Sequence, residues 1–264
     1  MNCIFCDKES EAKSIEHIVP ESFGNTTYTL QKGKVCDNCN NKFSSFEGKA
    51  LTNSVFVMER SRFGVATKRG KNVKGKLNEL IIEADKKFRK DILTISGLNE
   101  ENTQNFNPRT KTFDLIVPTF DKSEVATSKL LLKMGYESIY KSQKNVFEKY
   151  NFQELKDYLT AKENKDWPFL NSSIEIEKFI SIPRYFNKYK LKKLHCELYL
   201  LELNENSLIF KFIYGSIIMI INLLNRNLDW IRVNVPDNEI QYLYPEHYKN
   251  KLKKNRNANN TYRQ

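Results

Sequence analysis

The sequence predicts an α+β protein, a small metal-stapled module at the N-terminus followed by a larger lobe built on an antiparallel sheet. Two observations carry this. Two C-x-x-C pairs bracket a segment too poor in apolar residues to form a core by itself, so it needs a staple. The second half of the chain alternates strand-like apolar runs with short Asn-rich breaks, which reads as hairpins rather than crossovers.

The elements follow in order. Residues 40–51 place Phe43, Phe46 and Ala50 or Leu51 at helical spacing, which predicts a short helix beginning at the second cysteine pair. Residues 60–76 carry Arg60, Arg62, Lys68, Arg69, Lys71, Lys74 and Lys76 with no acid among them, broken by Gly64, Gly70 and Gly75. This reads as an irregular loop or hairpin that either grips phosphates or is a solvated linker. Strands are expected over 77–83, 92–98 and 112–117, and helices over 123–133 and 152–161. Further strands are expected over 194–203, 207–214, 216–224 and 228–235, with turns at 204–206 and 225–227. The implied domains are a module over 1–59, a basic connector over 60–76, an accessory lobe over 77–247, and a basic disordered tail over 248–264.

Composition narrows the function. Of 264 residues, 40% are hydrophobic and 12% aromatic, enough for a packed core. Forty-three Lys and Arg against 32 Asp and Glu leave a net charge of +11, which favours a polyanionic partner but is equally met by solvated lysines. The N-terminal residues MNCIFCDKES lack a basic start followed by an apolar run. The most apolar stretch, 208–224, is interrupted by Lys211, Gly215, Ser216 and Asn222 and is short of the ~20 apolar residues of a membrane helix. Two buried strands meeting at Gly215 account for it, and a soluble, cytoplasmic protein without membrane contact is expected.

Cys3, Cys6, Cys36 and Cys39 form the two pairs, with residues 7–35 between them. Without an export signal, paired C-x-x-C argues for metal rather than disulfides, and four thiolates close a tetrahedral Zn2+ site. Cys196 stands alone in an apolar run and reads as a core residue. His195 and His247 have no partner motif and read as structural or exposed.

Between the pairs lies EHIVPES, residues 16–22, and Asn40 directly follows the second pair in CDNCNNKF. In these residues the sequence resembles the HNH endonucleases, including the HNH domain of RNA-guided nucleases. The resemblance covers residues 3 to about 47. It implies a ββα-metal fold of two strands and a helix, and a metal-dependent endonuclease acting on DNA, with RNA not excluded. Phage defence or a mobile element is the expected setting. His17 is then the general base, since a neutral imidazole accepts a proton from water. Glu16 and Asn40 are the oxygen ligands of a catalytic Mg2+ or Mn2+, which keeps much of its hydration. Neighbours along a regular strand face opposite sides, so Glu16 and His17 share a site only if the strand bends. The family's middle position, whose backbone carbonyl helps to orient the histidine, falls on Gln31, with Asn25 as an off-register substitute. Asn38 and Asn41 compete with Asn40. His17 as a zinc ligand or surface histidine is the alternative, weakened by the four cysteines. The competing function is a zinc-dependent module that binds nucleic acid without cutting it. The lobe is expected to bind DNA, sense a signal, or support a homo-oligomer or protein partner.

Overall fold

A computed structural model describes residues 2–10, 12–67, 69–77, 79–87, 89, 91–116, 124–161, 165–172, 180–181, 196–235 and 240–246. Lys68, His195, His247 and the tail 248–264 lie outside the described residues. The fold is mixed helix and antiparallel sheet, as the sequence predicts.

The chain begins with the cysteine-bearing turns and two short antiparallel arms. Ile18 donates to the Tyr28 carbonyl at 3.1 Å and Leu30 to the Glu16 carbonyl at 2.8 Å, with His17 opposite Thr29. Helix α1 (Asp37–Ala50) follows, capped by Cys36, and then α2 (Ser54–Arg62), which lies across the expected boundary at residue 59/60. In α1, Cys39, Phe43, Phe46 and Ala50 are buried along one stripe, the spacing read from the sequence.

Strands β1 (Lys74–Leu77), β2 (Leu80–Ala84) and β3 (Leu93–Ser96) form a three-stranded sheet. The single strand expected over 77–83 is instead the close of a hairpin, with Leu77 paired to Leu80. Strands β4 (Thr103–Asn107) and β5 (Thr112–Leu115) make a two-stranded ribbon.

Helix α3 (Glu124–Ser142) continues well past the expected end at residue 133 and is the centre of the molecule. Residues 126–128 and 130–139 of it are all buried, because the helix is covered on every side. Short helices α4 (Lys144–Lys149) and α5 (Gln153–Thr160) fold back against it. Strands β6 (Phe169–Ser172), β7 (Ile180–Ser181), β8 (Cys196–Asn204), β9 (Ser207–Tyr214), β10 (Ile217–Asn222) and β11 (Ile240–Tyr244) form an antiparallel sheet in the order β11-β6-β10-β9-β8-β7. The apolar run 208–224 is the β9–β10 hairpin, closed at Gly215, whose φ of 64° suits glycine.

One face of this sheet packs on α3 and the other on α6 (Asp229–Asn234). Alternation along β9 assigns the faces: Phe210 and Phe212 join the core with α3, while Ile209 packs with Trp230 and Ile231. The strand expected over 228–235 is this helix. Asn227 Oδ1 accepts the Asp229 amide at 2.8 Å, and Leu228, Ile231 and Val235 then fall on one helical face. Helix α3 presses close to the sheet at Gly135, where an added Cβ would stand 2.7 Å from Leu223 Cδ2.

The first module does not have a core of its own. Phe5 packs edge-on against Phe43 and tilted against Tyr136 at centroid distances of 4.6 and 5.0 Å, and the Tyr136 hydroxyl donates to the Ile4 carbonyl at 2.7 Å. A single apolar cluster runs from Cys3 through α3 to Tyr244. No helix among the described residues is long and apolar enough to cross a membrane.

Candidate active site and cysteine cluster

The Sγ atoms of Cys3, Cys6, Cys36 and Cys39 all lie within 4.8 Å of one another. Cys6 and Cys36 are 3.7 Å apart, too far for a disulfide of about 2.05 Å. That separation matches the roughly 3.8 Å edge of a tetrahedron with ~2.3 Å metal–sulfur arms. The backbone already points donors at the sulfurs. The Cys36 amide reaches Cys3 Sγ and the Cys39 amide reaches Cys36 Sγ, each at 3.4 Å. A hydrogen bond from Cys39 holds the Cys3 thiol down at about 4, and the same sharing pushes Cys39 up. Burial raises Cys6. Taking all four to thiolate requires a bound cation, so the donor set fits a metal. Cys196 is buried in β8, and burial pushes its thiol up, as a core residue would show.

Beside this cluster the first arm, the turn after it and α1 enclose a cleft of about 610 Å³. Glu16, His17 and Asn40, singled out from the sequence, all line it. The arm is an isolated bridge rather than a regular strand, which lets the neighbours Glu16 and His17 serve one cavity. Asn40 sits in the first turns of α1, and its Nδ2 donates to Ser14 Oγ at 3.0 Å. Asn40 Oδ1 has no donor among the described residues, so it remains an available oxygen ligand. Asn38 and Asn41 are exposed and are not part of the cleft wall. The Ser14 hydroxyl in turn donates to Asp37 at 3.0 Å and holds that carboxyl below its usual range. Two oxygen donors with room for water suit a hydrated divalent ion.

The orienting role expected of Gln31 is not supported by its position. Gln31 is exposed and lines a different cavity, beside Tyr140 and Lys144, and its carbonyl accepts the Lys34 amide at 3.1 Å. His17 Nδ1 is buried with no hydrogen-bond partner. Asn25 instead holds the loop between the arms. Its Nδ2 donates to the carbonyls of Val19 and Tyr28, and its Oδ1 accepts the amides of Thr27 and Tyr28. A buried Asn with all its bonding capacity spent on backbone is a rigid loop clamp.

Two residues of this site were missed by motif reading. Glu47 lies two turns after Asn40 on the same face of α1 and lines the cleft, a position that helical spacing makes visible. Lys133 enters from α3 and is fully buried. It donates to Glu16 Oε1 at 2.5 Å, to Glu137 Oε2 at 3.1 Å and to the His17 carbonyl at 3.4 Å, with Glu47 Oε1 at 3.0 Å. An ammonium has three protons, which explains why Glu47 Oε1 is near the charge yet has no hydrogen bond. Burial works against the charge on Lys133, but Glu137, Glu16 and Glu47 reverse that and hold it well above its ordinary value. Burial also pushes the Glu137 carboxyl well above the usual range. The sequence signal was a lone lysine inside the apolar run LLLKMG.

The basic segment is less uniform than its sequence implies. Arg60 is buried on α2, where its Nε donates to the Ser22 carbonyl at 2.7 Å and braces the cleft wall, and burial lowers its pKa. Arg62 is paired with Glu59 at 2.6 Å and Asp91 at 2.9 Å, and Lys74 with Glu83 at 2.8 Å. Arg60 is thereby withdrawn as a phosphate contact, and Arg62 and Lys74 are partly neutralised. Arg69, Lys71 and Lys76 are exposed and have no acidic partner among the described residues. The turn they sit on is hairpin-like, with Ala66 opposite Asn72. It adjoins the cleft through Glu21, which lines both the cleft and the neighbouring cavity under residues 63–67.

Residues 3–56 match the family model described as HNH endonuclease, a span that takes in both cysteine pairs, the arms and α1. No curated protein and no solved structure shows significant similarity to the chain.

Proposed function

We infer that this chain, with the HNH endonuclease segment as its premise, is a metal-dependent endonuclease that hydrolyses phosphodiester bonds in DNA. The observation that carries this is the convergence of Glu16, His17 and Asn40 on one cleft beside the cysteine cluster. A module that only binds nucleic acid has no need of a base and oxygen ligands in one cavity.

In this reading the four cysteines hold a structural Zn2+, the borderline-soft ion suited to four thiolates. Glu16 and Asn40 hold a Mg2+ or Mn2+, which would relieve charge on the scissile phosphate and the leaving oxygen. The remaining steps belong to the chain. His17 takes a proton from the attacking water, a role that typically contributes about 10²–10⁴-fold. Asn25 fixes the loop that carries Val19 to Tyr28, and so the arm on which His17 sits. Arg69, Lys71 and Lys76 offer phosphate contacts along the duplex on one side of the cleft.

Incubating supercoiled plasmid with the protein tests the reading. Nicked or linear product with Mg2+ or Mn2+, abolished by EDTA, is expected. DNA binding without any product under either metal would favour the non-catalytic binding module.

A further inference from the structure

Helix α3 supplies apolar side chains at nearly every position around Lys133: Leu130, Leu131, Leu132 and Met134 are all fully buried. A further leucine or methionine would fill the place of Lys133 without the cost of desolvating an ammonium, since buried ion pairs rarely outdo apolar packing in stability. The lysine therefore calls for a reason other than core packing. Its partners supply one. Two of its three carboxylates, Glu16 and Glu47, are cleft walls contributed by the arm and by α1, and its third proton is directed at the backbone of His17. The third carboxylate, Glu137, lies one turn further along α3 with no exposure and keeps the ammonium anchored to its own helix.

We propose that Lys133 is a positioning residue for the nuclease centre, reaching from α3 to fix the carboxylates of Glu16 and Glu47 for a divalent cation in the cleft. The inference rests on the nuclease reading. Lys133 engages Glu16 through Oε1, and no protein donor among the described residues engages Oε2. One oxygen is anchored and the other is available, the arrangement by which outer partners orient metal ligands elsewhere. The carboxylates of Glu16 and Glu47 facing a single ammonium also leave negative charge at the cleft. A consequence is that the C-terminal lobe is part of the active centre, because a separated module of residues 1–59 would lack this clamp.

The test uses the full chain with Lys133→Met and, to take the buried ammonium and its buried carboxyl partner out of α3 together, the double variant Lys133→Met/Glu137→Gln. Mn2+ binding is read by the paramagnetic resonance of the free ion, alongside the Mn2+ dependence of cleavage, zinc content and duplex affinity in EDTA. The expected result is a Mn2+ dissociation constant and half-saturation raised by about 10–100-fold. Zinc content and duplex affinity stay at wild-type values. If Lys133→Met alone does not fold, the double variant carries the comparison. Mn2+ binding equal to wild type in a folded variant overturns the proposal. So does tighter binding, which is what removal of a merely competing cation would give. Wild-type protein that neither binds added Mn2+ nor cuts overturns the nuclease reading itself, and the inference with it. Wild type that does both, with variants unaltered, removes only the role of Lys133.

Discussion

Asn25 grips both backbone groups of Tyr28, its Nδ2 donating to the Tyr28 carbonyl at 2.9 Å and its Oδ1 accepting the Tyr28 amide at 2.8 Å. With its further bond to the Val19 carbonyl at 2.6 Å, one buried side chain closes the loop that links the two arms of the candidate active site.

Asn25→Ala should therefore destabilise the fold and disable the cleft together. It removes the side-chain partners that Asn25 gives to the Tyr28 amide and the Val19 carbonyl, at about 1–3 kcal/mol for each buried bond. For a chain of this size each kcal/mol lowers the melting temperature by roughly 2–4 °C. A thermal melt showing a drop of about 4–24 °C, with cleavage reduced below the melt, is expected. Gln31→Ala, by contrast, should leave both nearly unchanged, because Gln31 takes part only through its backbone carbonyl and lies outside the cleft.

The cysteine cluster should bind about one Zn2+ per chain, a contribution on the order of 10–16 kcal/mol in small zinc modules. Cys3→Ser or Cys36→Ser should lose that zinc. The damage should extend beyond the first fifty residues, since Phe5 packs on Tyr136 and the Cys3 core continues into α3. Elemental analysis checks the first point. A broadened or lowered melt of the whole chain, read by circular dichroism, checks the second. Native protein without zinc contradicts the assignment.

The two metal sites should separate by mutation. Glu16→Ala and Asn40→Ala should each reduce Mg2+-dependent cleavage by about 10-fold or more, in line with losses at other metal-ligand shells. Zinc content should stay constant in both. Loss of zinc on either change would merge the two sites into one.

What the sequence revealed and what it concealed divide along one line. Cys3, Cys6, Cys36 and Cys39 stand out in the sequence by the spacing of the two C-x-x-C pairs, and their sulfurs cluster in the fold. Glu16, His17 and Asn40 stand out by their place in EHIVPES and after the second pair, and they line one cleft. The β9–β10 hairpin was legible because Gly215 breaks a run of apolar residues. The helix at residues 229–234 was misread because a short apolar run has no decisive period, and the bond from the Asp229 amide to Asn227 Oδ1 that opens it forms only in the fold. Arg60 looked like a free cation because the Ser22 carbonyl that receives it is distant in sequence. Lys133 meets Glu16 across 117 positions, a pairing no local pattern encodes.

The exposed cations after α2 should set affinity rather than rate. Neutralising Arg69, Lys71 and Lys76 should weaken binding to every duplex alike. Each lost phosphate contact should make the slope of log K against log salt shallower by about 0.9. Turnover at saturating DNA should change little, because such contacts position rather than react. A salt titration on one labelled duplex checks this, and an unaltered slope would assign DNA binding to another surface.

The most direct test of the central claim is single-turnover cleavage of a labelled duplex by wild type and His17→Ala, with duplex affinity measured in parallel in EDTA. The account predicts a rate at least about 10²-fold lower in the variant, because the general base is gone, with affinity unchanged, because the basic surface is intact. Undiminished cleavage by His17→Ala would contradict it and place the base elsewhere.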